Sequence, residues 1–418
     1  MDADAVLAHV VSGYQNHINP NLAKLMNFAG FGVEARAEGC YVWDHEGNRY
    51  LDCLGGYGVF SLGHRHPKVV QAVKDQLDLM PLSSKVFFGP RQAELATKLA
   101  EVAPEGLDYT FFSNSGTEAV EAALKFAKGT KGASKIVSTI GSYHGKTLGA
   151  LSVTGREKYQ TKFAPLVPGA VFVPFGDTAA MLAAIDGDTA AVILEVVQGE
   201  GGINLAPAGY MTAVRKACDE HDVLLIVDEV QTGMGRTGTM FACEHEGIRP
   251  DIMTLAKCLG GGVMPIGATM FTRRVYDRVY GDNPLMHTST FGGNGLACAA
   301  GIATLEVIAE EGLIEKSRDT GAYFMARLRE VQAKHPDTVS EVRGLGLMIG
   351  LEFSLDEVGE LTIAQMTKRG LIAAYTLNNP RVIRIEPPLI ITREQCDFAA
   401  SVIDEALSET EALLAALV

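Results

Sequence analysis

The sequence predicts an α/β protein whose main sheet is mostly parallel, and three observations lead to this class. Strand and helix patterns alternate from Ser61 to about Leu305, as they do in chains built from βα units. Two runs of strand length, Ala190–Val197 and Val223–Val230, are apolar and rich in β-branched residues, which is typical of strands covered on both faces. From Glu311 onward the order changes to that of a smaller α+β unit.

The individual elements follow from local patterns, taken in chain order. The runs Cys40–Trp43 and Tyr50–Cys53 stand on either side of the turn Asp44–Asn48, which predicts a β-hairpin. In the middle of the chain the patterns predict strands at Tyr109–Phe112, Lys135–Ser138 and Val171–Pro174, and helices at Thr117–Lys128, Tyr210–His221 and Ala297–Glu310. Near the C-terminus they predict helices at Glu315–His335, Leu361–Arg369 and from Arg393, and strands near Val339–Arg343, Met348–Glu352, Leu371–Tyr375 and Val382–Glu386.

These patterns predict a division of the chain into domains. A length of 418 residues corresponds to two or three domains at about 100–200 residues each. Residues 61–310 would form a large α/β domain, and residues 311–418 a small α+β domain. The N-terminal segment, residues 1–60, would pack its hairpin against the small domain, which would then be discontinuous in sequence.

The composition predicts a cytoplasmic enzyme. Hydrophobic residues make up 47% and charged residues 21%, as in soluble globular proteins, and no apolar run reaches the ~18 residues of a membrane span. A net charge of −14 disfavours nucleic acids and anionic membranes as partners. The seven cysteines form no CxxC pair, and His64 and His66 are poorly spaced for a metal, so we expect neither disulfides nor a metal site.

Two stretches of small polar residues precede predicted helices and are candidate phosphate sites. The first is Ser113–Glu118, where a strand ends and a helix begins; the free N–H groups and the dipole of such a helix start suit a phosphate. Ser115 and Glu118 also match a capping box, which alone would account for them. The second stretch is His287–Asn294, for which a plain loop before a capped helix is the competing interpretation.

Two further positions carry groups that are costly to bury. Asp228 and Glu229 end an apolar strand, and a buried carboxylate is unfavourable unless it meets a cation or good donors. Because ligands gather beyond the carboxyl ends of strands, one of the two is predicted to be functional. Lys257 follows an apolar stretch and precedes three glycines; a desolvated lysine becomes an amine nucleophile, whereas a lysine that reaches the surface is the alternative.

Two glycine-rich stretches complete the set of motifs. Gly233–Gly238 matches the G-x-G-x-x-G pattern of dinucleotide sites, which leaves an NAD-dependent oxidoreductase open. Residues 228–232 separate it from the strand and no clear helix follows it, so we interpret it as an active-site loop. Glu195–Gly202 places polar groups after another buried strand.

Together these segments resemble the class III, ornithine-type, pyridoxal-phosphate-dependent aminotransferases. The matching motifs are Ser113–Glu118, Ser142–Gly145, Glu195–Gly202, Asp228–Gly233, Lys257, Thr290–Asn294 and Arg384. A narrower resemblance, to bacterial putrescine aminotransferases, rests on Cys53–Gly58, Phe241–Glu246, Gly260–Ala268, Thr376–Asn379 and Ile383–Pro388. The likeness covers nearly the whole chain. It implies fold type I, with a mostly parallel seven-stranded sheet in the large domain and a small domain along one wall of the cleft.

The resemblance implies roles around pyridoxal 5′-phosphate. Lys257 would hold the cofactor as an internal Schiff base and then shuttle the proton between the substrate carbon and C4′. Asp228 would pair with the pyridine nitrogen and keep it protonated, so that the ring acts as an electron sink. Gln231 would hydrogen-bond the ring oxygen, and Tyr143 would stack on the ring. The other cofactor-binding residues that the resemblance implies are Ser115, Gly116, Thr117, His144, Glu195 and Val230.

The resemblance also implies how substrates and a second subunit take part. Arg384 would grip a substrate carboxylate through two parallel hydrogen bonds; a surface ion pair with Glu386 is the alternative. In relatives that use both a dicarboxylate and an ω-amine, a glutamate neutralises this arginine when no carboxylate is present, and Glu200 matches it. Tyr57 is expected in the same substrate site. Thr290 would reach the phosphate of the other subunit, which implies a homodimer with shared active sites.

The activity predicted from this resemblance is a ping-pong transamination. An ω-amine, putrescine or a related diamine, would give its amino group to 2-oxoglutarate or pyruvate. Acetylornithine, ornithine, lysine or 4-aminobutyrate aminotransferase activity and an aminomutase remain open within the family. The NAD-dependent oxidoreductase and a non-catalytic scaffold protein remain as alternatives from other classes, and the presence of Lys257 and Asp228 in their motifs argues against the scaffold.

Overall fold

The computed structural model describes residues 3–28 and 30–416. Its N-terminal part begins with two helices that the sequence patterns did not indicate, α1 (Ala3–Gly13) and α2 (Pro20–Phe28), joined by a π-helical turn at Tyr14–Ile18. Three antiparallel strands follow, β1 (Glu34–Glu38), β2 (Tyr41–Asp44) and β3 (Arg49–Asp52). The predicted hairpin is confirmed, because β2 and β3 pair across the turn at 45–48.

The middle of the described chain supplies nine strands, most of which belong to the central sheet. They are β4 (Tyr109–Ser113), β5 (Lys135–Thr139), β6 (Ala170–Val173), β7 (Thr189–Leu194), β8 (Val197–Gln198), β9 (Asn204–Leu205), β10 (Leu224–Asp228), β11 (Ile252–Leu255) and β12 (Gly267–Phe271). Seven of them form one sheet in the order β4-β12-β11-β10-β7-β5-β6, while β8 and β9 form a separate ribbon. Only β12 runs antiparallel to its neighbours. The predicted α/β class with a mostly parallel seven-stranded sheet is therefore confirmed.

Ten helices of the described chain precede, connect or follow these strands. They are α3 (Gly55–Gly58), α4 (Pro67–Leu79), α5 (Pro90–Val102), α6 (Gly116–Lys131), α7 (Leu148–Ser152), α8 (Glu157–Gln160), α9 (Thr178–Ala184), α10 (Tyr210–Glu220), α11 (Arg273–Val279) and α12 (Gly295–Glu310). Strands β7, β10, β11 and β12 are buried along their whole length, as their apolar sequences require. Within residues 3–28 and 30–416, no helix combines the length and apolarity needed to cross a lipid bilayer.

The C-terminal part contains a second, antiparallel sheet. The elements of this C-terminal part are α13 (Leu313–Lys334), β13 (Val339–Leu345), β14 (Met348–Phe353), α14 (Asp356–Lys368), β15 (Leu371–Ile372), β16 (Ala374–Tyr375), β17 (Val382–Ile385) and α15 (Arg393–Ala415). The sheet order is β13-β14-β17-β16. The prediction of a single strand at Leu371–Tyr375 is wrong, because β15 pairs with β3 of the N-terminal sheet and β16 pairs with β17. Ala373 between them passes the chain from one sheet to the other.

Candidate active site

A cavity of about 810 Å³ lies at the edge of the central sheet where the parallel strands end. This edge is where ligands bind in open α/β sheets. Four strands lead directly into the cavity lining, because Ser115 follows β4, Tyr143 follows β5, Glu195 follows β7 and Asp228 ends β10. The described lining further includes Val59, Phe60, Asn114, Gly116, Thr117, His144, Gly145, Lys146, Thr147, Val230, Gln231, Ala256, Lys257 and Gly262–Ile266.

Asp228 presents a buried carboxylate to the cavity. Its Oδ1 accepts hydrogen bonds from the hydroxyl of Thr254 (3.0 Å) and from the N–H of Val230 (3.1 Å). Its Oδ2 lies 2.8 Å from Nδ1 of His144, which is also buried. An ionised carboxylate only accepts hydrogen bonds, so Nδ1 carries the proton in this pair. Three segments of the chain therefore fix the position of Asp228.

The adjacent carboxylate of Glu229 lies outside the cavity lining. It accepts hydrogen bonds from the N–H groups of Ala242 (3.0 Å) and Cys243 (2.8 Å) and from the hydroxyl of Thr232. Burial raises the pKa of Glu229, and these donors oppose the shift. Glu229 therefore anchors the turn at 242–246, and of the two neighbouring acids the structure brings only Asp228 to the cavity.

Lys257 opens a short 3₁₀ turn, Lys257–Gly260, two residues after β11. Its backbone φ is 44°, in the left-handed region that costs a residue with a Cβ roughly 1–3 kcal/mol. The side chain is partly buried in the cavity wall and does not lie on the outer surface. Burial lowers the pKa of the Lys257 ammonium, and the carboxylates of Glu386 and Glu200 oppose this shift. The amine is therefore more easily deprotonated than that of an exposed lysine.

The N-terminus of α6 forms another wall of the cavity. Ser115 caps this helix, since its Oγ accepts a hydrogen bond from the N–H of Glu118 (3.3 Å). The cap by Ser115 is confirmed, but the predicted capping box is not formed, because the carboxylate of Glu118 accepts a hydrogen bond from the N–H of Asn114 (2.5 Å) and not from that of Ser115. Ser115 and Thr117 face the cavity as well. A Cβ at Gly116 would lie 2.9 Å from Cγ1 of Val230, so only glycine allows α6 to approach the loop after β10 this closely.

Glu195 joins the loops that follow β5 and β7. Its Oε1 accepts a hydrogen bond from the N–H of Tyr143 (3.0 Å), and its Oε2 accepts one from the N–H of Gly199 (3.1 Å). Burial raises the pKa of Glu195 to about 7, with His144 acting in the opposite direction. Glu195 thus holds the backbone of Tyr143 and leaves that side chain in the cavity lining.

Arg384, on β17, forms a buried ion pair with Glu200. Nη2 of Arg384 lies 2.5 Å from Oε2 of Glu200, which also accepts a hydrogen bond from the N–H of Leu377 (2.9 Å). Burial alone would raise the pKa of Glu200, but the guanidinium outweighs it and lowers the pKa. The guanidinium carbon of Arg384 lies 5.1 Å from the ring centre of Tyr57, within cation–π range. The alternative of a surface ion pair for Arg384 is wrong, because its side chain is fully buried.

The sequence motifs did not single out Glu386 as a site residue, yet it lies against the site. Its two carboxylate oxygens accept hydrogen bonds from Nε2 of Gln231, at 3.0 and 2.9 Å. Its Oε2 lies 3.9 Å from Nη1 of Arg384, and its side chain is fully buried. The signal was present in the sequence, because residues two apart at a strand end share one face, and Glu386 stands two positions after Arg384.

The geometry places a fixed carboxylate, a lysine of lowered pKa and a helix N-terminus around one cavity. Arg384, Glu200 and Tyr57 are absent from the described lining of this cavity, but Glu200 and Arg384 are close enough to Lys257 to act on its pKa. Residues 29–407 match the family described as Aminotransferase class-III. The chain belongs to the class III aminotransferases. Enzymes of this family act on amines and keto acids and depend on pyridoxal phosphate, which is therefore the cofactor of this aminotransferase.

Solved structures agree with this membership of the family. An ornithine aminotransferase from Toxoplasma gondii is 34% identical, with 91% of each chain covered and a TM-score of 0.86. An (S)-enantioselective omega-transaminase from Thermomicrobium roseum is 32% identical, with 98% of this chain and 99% of that chain covered and a TM-score of 0.90. A second structure of the Toxoplasma enzyme, 32% identical over 96% of this chain and 93% of its own, with a TM-score of 0.89, is described as having partial occupancy of the cofactor at its active site.

The residues of this aminotransferase fit the cofactor chemically. A pyridine nitrogen that must stay protonated needs a fixed anion, and Asp228 is held by three donors. A phosphate needs N–H groups, and the α6 N-terminus supplies them at Gly116 and Thr117 in the same cavity. An aldehyde needs an amine of lowered pKa, and Lys257 provides it.

Thr290 and the glycine-rich loop lie apart from this arrangement. Thr290 is exposed and is absent from the described lining of the cavity, so this chain alone does not bring it to the site. The loop Gly233–Gly238 contains turns and no helix, and Arg236 within it is buried, donating hydrogen bonds to the carbonyls of Leu347 (3.0 Å) and Pro387 (2.6 Å). The loop thus joins elements of the scaffold, and its residues are absent from the described lining of the cavity. Its interpretation as an active-site loop stays a prediction.

Proposed function

We propose that this aminotransferase transfers an amino group from an ω-amine, putrescine or a related diamine, to 2-oxoglutarate or pyruvate. The observation that carries the proposal is the buried ion pair of Arg384 and Glu200, at 2.5 Å. An arginine neutralised in this way lets the cavity receive a donor without a carboxylate. Nε and Nη1 of Arg384 are buried without hydrogen-bond partners among the described residues, so donors remain for the carboxylate of an oxo acid.

The side chains of the cavity divide the chemical work. Pyridoxal phosphate supplies an electron sink for the electron pair left when the substrate carbon loses its proton. Lys257 Nζ accepts that proton and returns it, a task that its lowered pKa suits. Asp228 would pair with the pyridine nitrogen and keep it protonated, and His144 and Thr254 hold Asp228 in place.

The remaining predicted residues bind and orient the cofactor. Ser115, Gly116 and Thr117 would hold the phosphate at the α6 N-terminus. Tyr143 would cover one face of the ring, with its backbone fixed by Glu195. Val230 closes the packing against Gly116 in the same lining. Gln231, which lies in the same lining, would hydrogen-bond the ring oxygen.

The same proposal includes a homodimer with shared sites. Lys85 Nζ donates a hydrogen bond to the carbonyl of Gly292 (2.6 Å) and so brings the segment 85–88 beside the loop that carries Thr290. Several large apolar side chains of these two segments are exposed, a density that marks an interaction surface. They are Val86, Phe87, Phe88, Leu285, Met286 and Phe291. A second copy covering this surface would bring its own Thr290 to the phosphate.

Ornithine aminotransferase activity is the second candidate, favoured by the 34% identity to the Toxoplasma enzyme. Ornithine that reacts through its δ-amino group has no carboxylate beside the reacting nitrogen, so the closed pair of Arg384 and Glu200 admits it as it admits a diamine. The ion pair therefore favours reaction at an ω-amino group in both cases, and the resemblance to putrescine aminotransferases favours the diamine as the donor.

An assay of the purified holoenzyme with each amine against 2-oxoglutarate and pyruvate tests the proposal. We expect turnover of putrescine or a related diamine to exceed that of ornithine, acetylornithine, lysine and 4-aminobutyrate. Absence of turnover with every diamine would defeat the diamine assignment. Lys257→Ala should lose amino transfer by at least about 10⁴-fold, and full retention of activity would refute the role of Lys257.

A further inference from the structure

We infer that Glu386 is a specificity-determining residue that favours amino donors without a carboxylate beside the reacting amino group. It would do so by giving Arg384 a second, fixed negative charge. This role rests on the proposed function, because it requires that Arg384 be the group that receives a substrate carboxylate.

The charges around Arg384 are the first observation. Nη2 of Arg384 lies 2.5 Å from Oε2 of Glu200, and Nη1 lies 3.9 Å from Oε2 of Glu386. Arg384 and Glu386 are fully buried, and Glu200 is nearly so. One guanidinium therefore faces two carboxylates, in surroundings where charges interact far more strongly than in water.

The second observation is that the carboxylates of Glu386 and Glu200 are held by different donors. The N–H of Glu386 donates to the carbonyl of Cys53 (2.7 Å), and both carboxylate oxygens accept from Gln231. A Cβ at Gly55 would lie 2.2 Å from the carbonyl oxygen of Glu386, so the backbone of 386 is tightly packed. The carboxylate of Glu200 instead accepts from Nη2 of Arg384 and from the N–H of Leu377 (2.9 Å), so it occupies a guanidinium donor that a substrate carboxylate would need.

These two observations separate the two carboxylates in function. A substrate carboxylate that reaches Arg384 can displace Glu200, but it still meets the charge of Glu386. A diamine leaves both carboxylates paired with the guanidinium and meets no repulsion. Glu386 therefore penalises α-amino acids as donors and weakens the binding of the 2-oxo acid, while Glu200 alone acts as the movable partner.

The test compares wild type with Glu386→Gln, which keeps the size of the side chain and can still accept a hydrogen bond from Gln231. The measurements are kcat/KM for putrescine and for L-alanine as donors, and KM for 2-oxoglutarate. We expect the ratio of L-alanine to putrescine to rise about tenfold, which corresponds to ~1.4 kcal/mol, and KM for 2-oxoglutarate to fall. An unchanged ratio, or a shift towards putrescine, would overturn the role of Glu386.

Two further variants separate charge from packing. Glu386→Asp keeps the charge and should keep the wild-type ratio of L-alanine to putrescine. A tenfold rise of this ratio in Glu386→Asp as well would show that packing and not charge is responsible.

Glu352→Gln removes a carboxylate that pairs with Arg343 on the same antiparallel sheet, outside the cavity lining, and should leave the ratio unchanged. If wild type transfers no amino group from any amine, the proposed function fails; if wild type is active and Glu386→Gln keeps its ratio, only the role of Glu386 fails.

Discussion

Nδ1 of His144 lies 2.8 Å from Oδ2 of Asp228, and both side chains are buried beside the cavity. His144 would influence cofactor binding through this contact, because its Nδ1–H fixes the orientation of the Asp228 carboxylate. Loss of one partner of a buried, charge-assisted hydrogen bond costs about 1–3 kcal/mol.

His144→Ala should therefore weaken pyridoxal phosphate binding about 10- to 100-fold, measured by titrating the apoenzyme with the cofactor. His64→Ala is the matched control, since His64 forms an equally short, buried pair with Asp52 at 2.8 Å outside the cavity lining. We expect it to lower the unfolding temperature without changing cofactor affinity. Equal effects of the two variants on affinity would show that the pairing of His144 with Asp228 has no special role.

Arg384→Lys should separate the two half-reactions. Lysine keeps the charge but loses the planar pair of donors that grips a carboxylate. We expect KM for 2-oxoglutarate to rise roughly tenfold or more, while single-turnover reaction with putrescine changes little. The measurement is stopped-flow absorbance of the cofactor with each substrate alone, and an equal loss in both half-reactions would contradict the assignment of Arg384.

Glu195 predicts a pH dependence of stability that its amide variant should lack. Its pKa is raised from 4.5 to about 7, so between these values the folded chain holds a proton that the unfolded chain has released. Stability therefore falls as pH rises through this window, by about 3 kcal/mol from this group, and is constant in this respect below pH 4.5. Urea unfolding at pH 5.5 and 8.5 checks this.

Glu195→Gln should lose this contribution, so the free energy of unfolding of the variant relative to wild type should improve from pH 5.5 to pH 8.5. Any constant cost from placing an amide against the N–H groups of Tyr143 and Gly199 cancels in this comparison. A difference that does not vary with pH would mean that Glu195 stays ionised throughout.

Thr290 can be tested by complementation between subunits. Thr290→Ala alone should weaken cofactor binding about tenfold, and Lys257→Ala alone should be inactive. A hybrid of the two variants would carry one site with both Lys257 and the Thr290 of the partner subunit. That site should bind the cofactor with wild-type affinity, whereas a Thr290 that acts within its own chain would leave no such site.

The fold class and most of the cavity could be predicted because they depend on local patterns. Apolar runs such as Val223–Val230 indicate covered strands, and polar residues after them collect at one edge of a parallel sheet. The strands β11 and β12 escaped prediction, and β12 enters the sheet antiparallel where alternating βα units indicate a parallel strand.

Other features depend on contacts between distant parts of the chain. Gln231 and Glu386 meet across 155 positions, and no local pattern indicates which buried acid an amide will contact. The segment Leu371–Tyr375 has the composition of one strand, but pairing with β3 on one side and β17 on the other divides it at Ala373. The predicted domain boundaries at 60 and 310 stay predictions.

The left-handed backbone at Lys257, with φ of 44°, has a consequence for descendants of this chain. Glycine adopts this conformation at no steric cost, whereas lysine is strained there. Once the chemistry no longer required an amine, mutation to glycine at this position would strengthen the protein. We therefore expect glycine at position 257 in descendants that keep this fold but have lost the enzymatic activity.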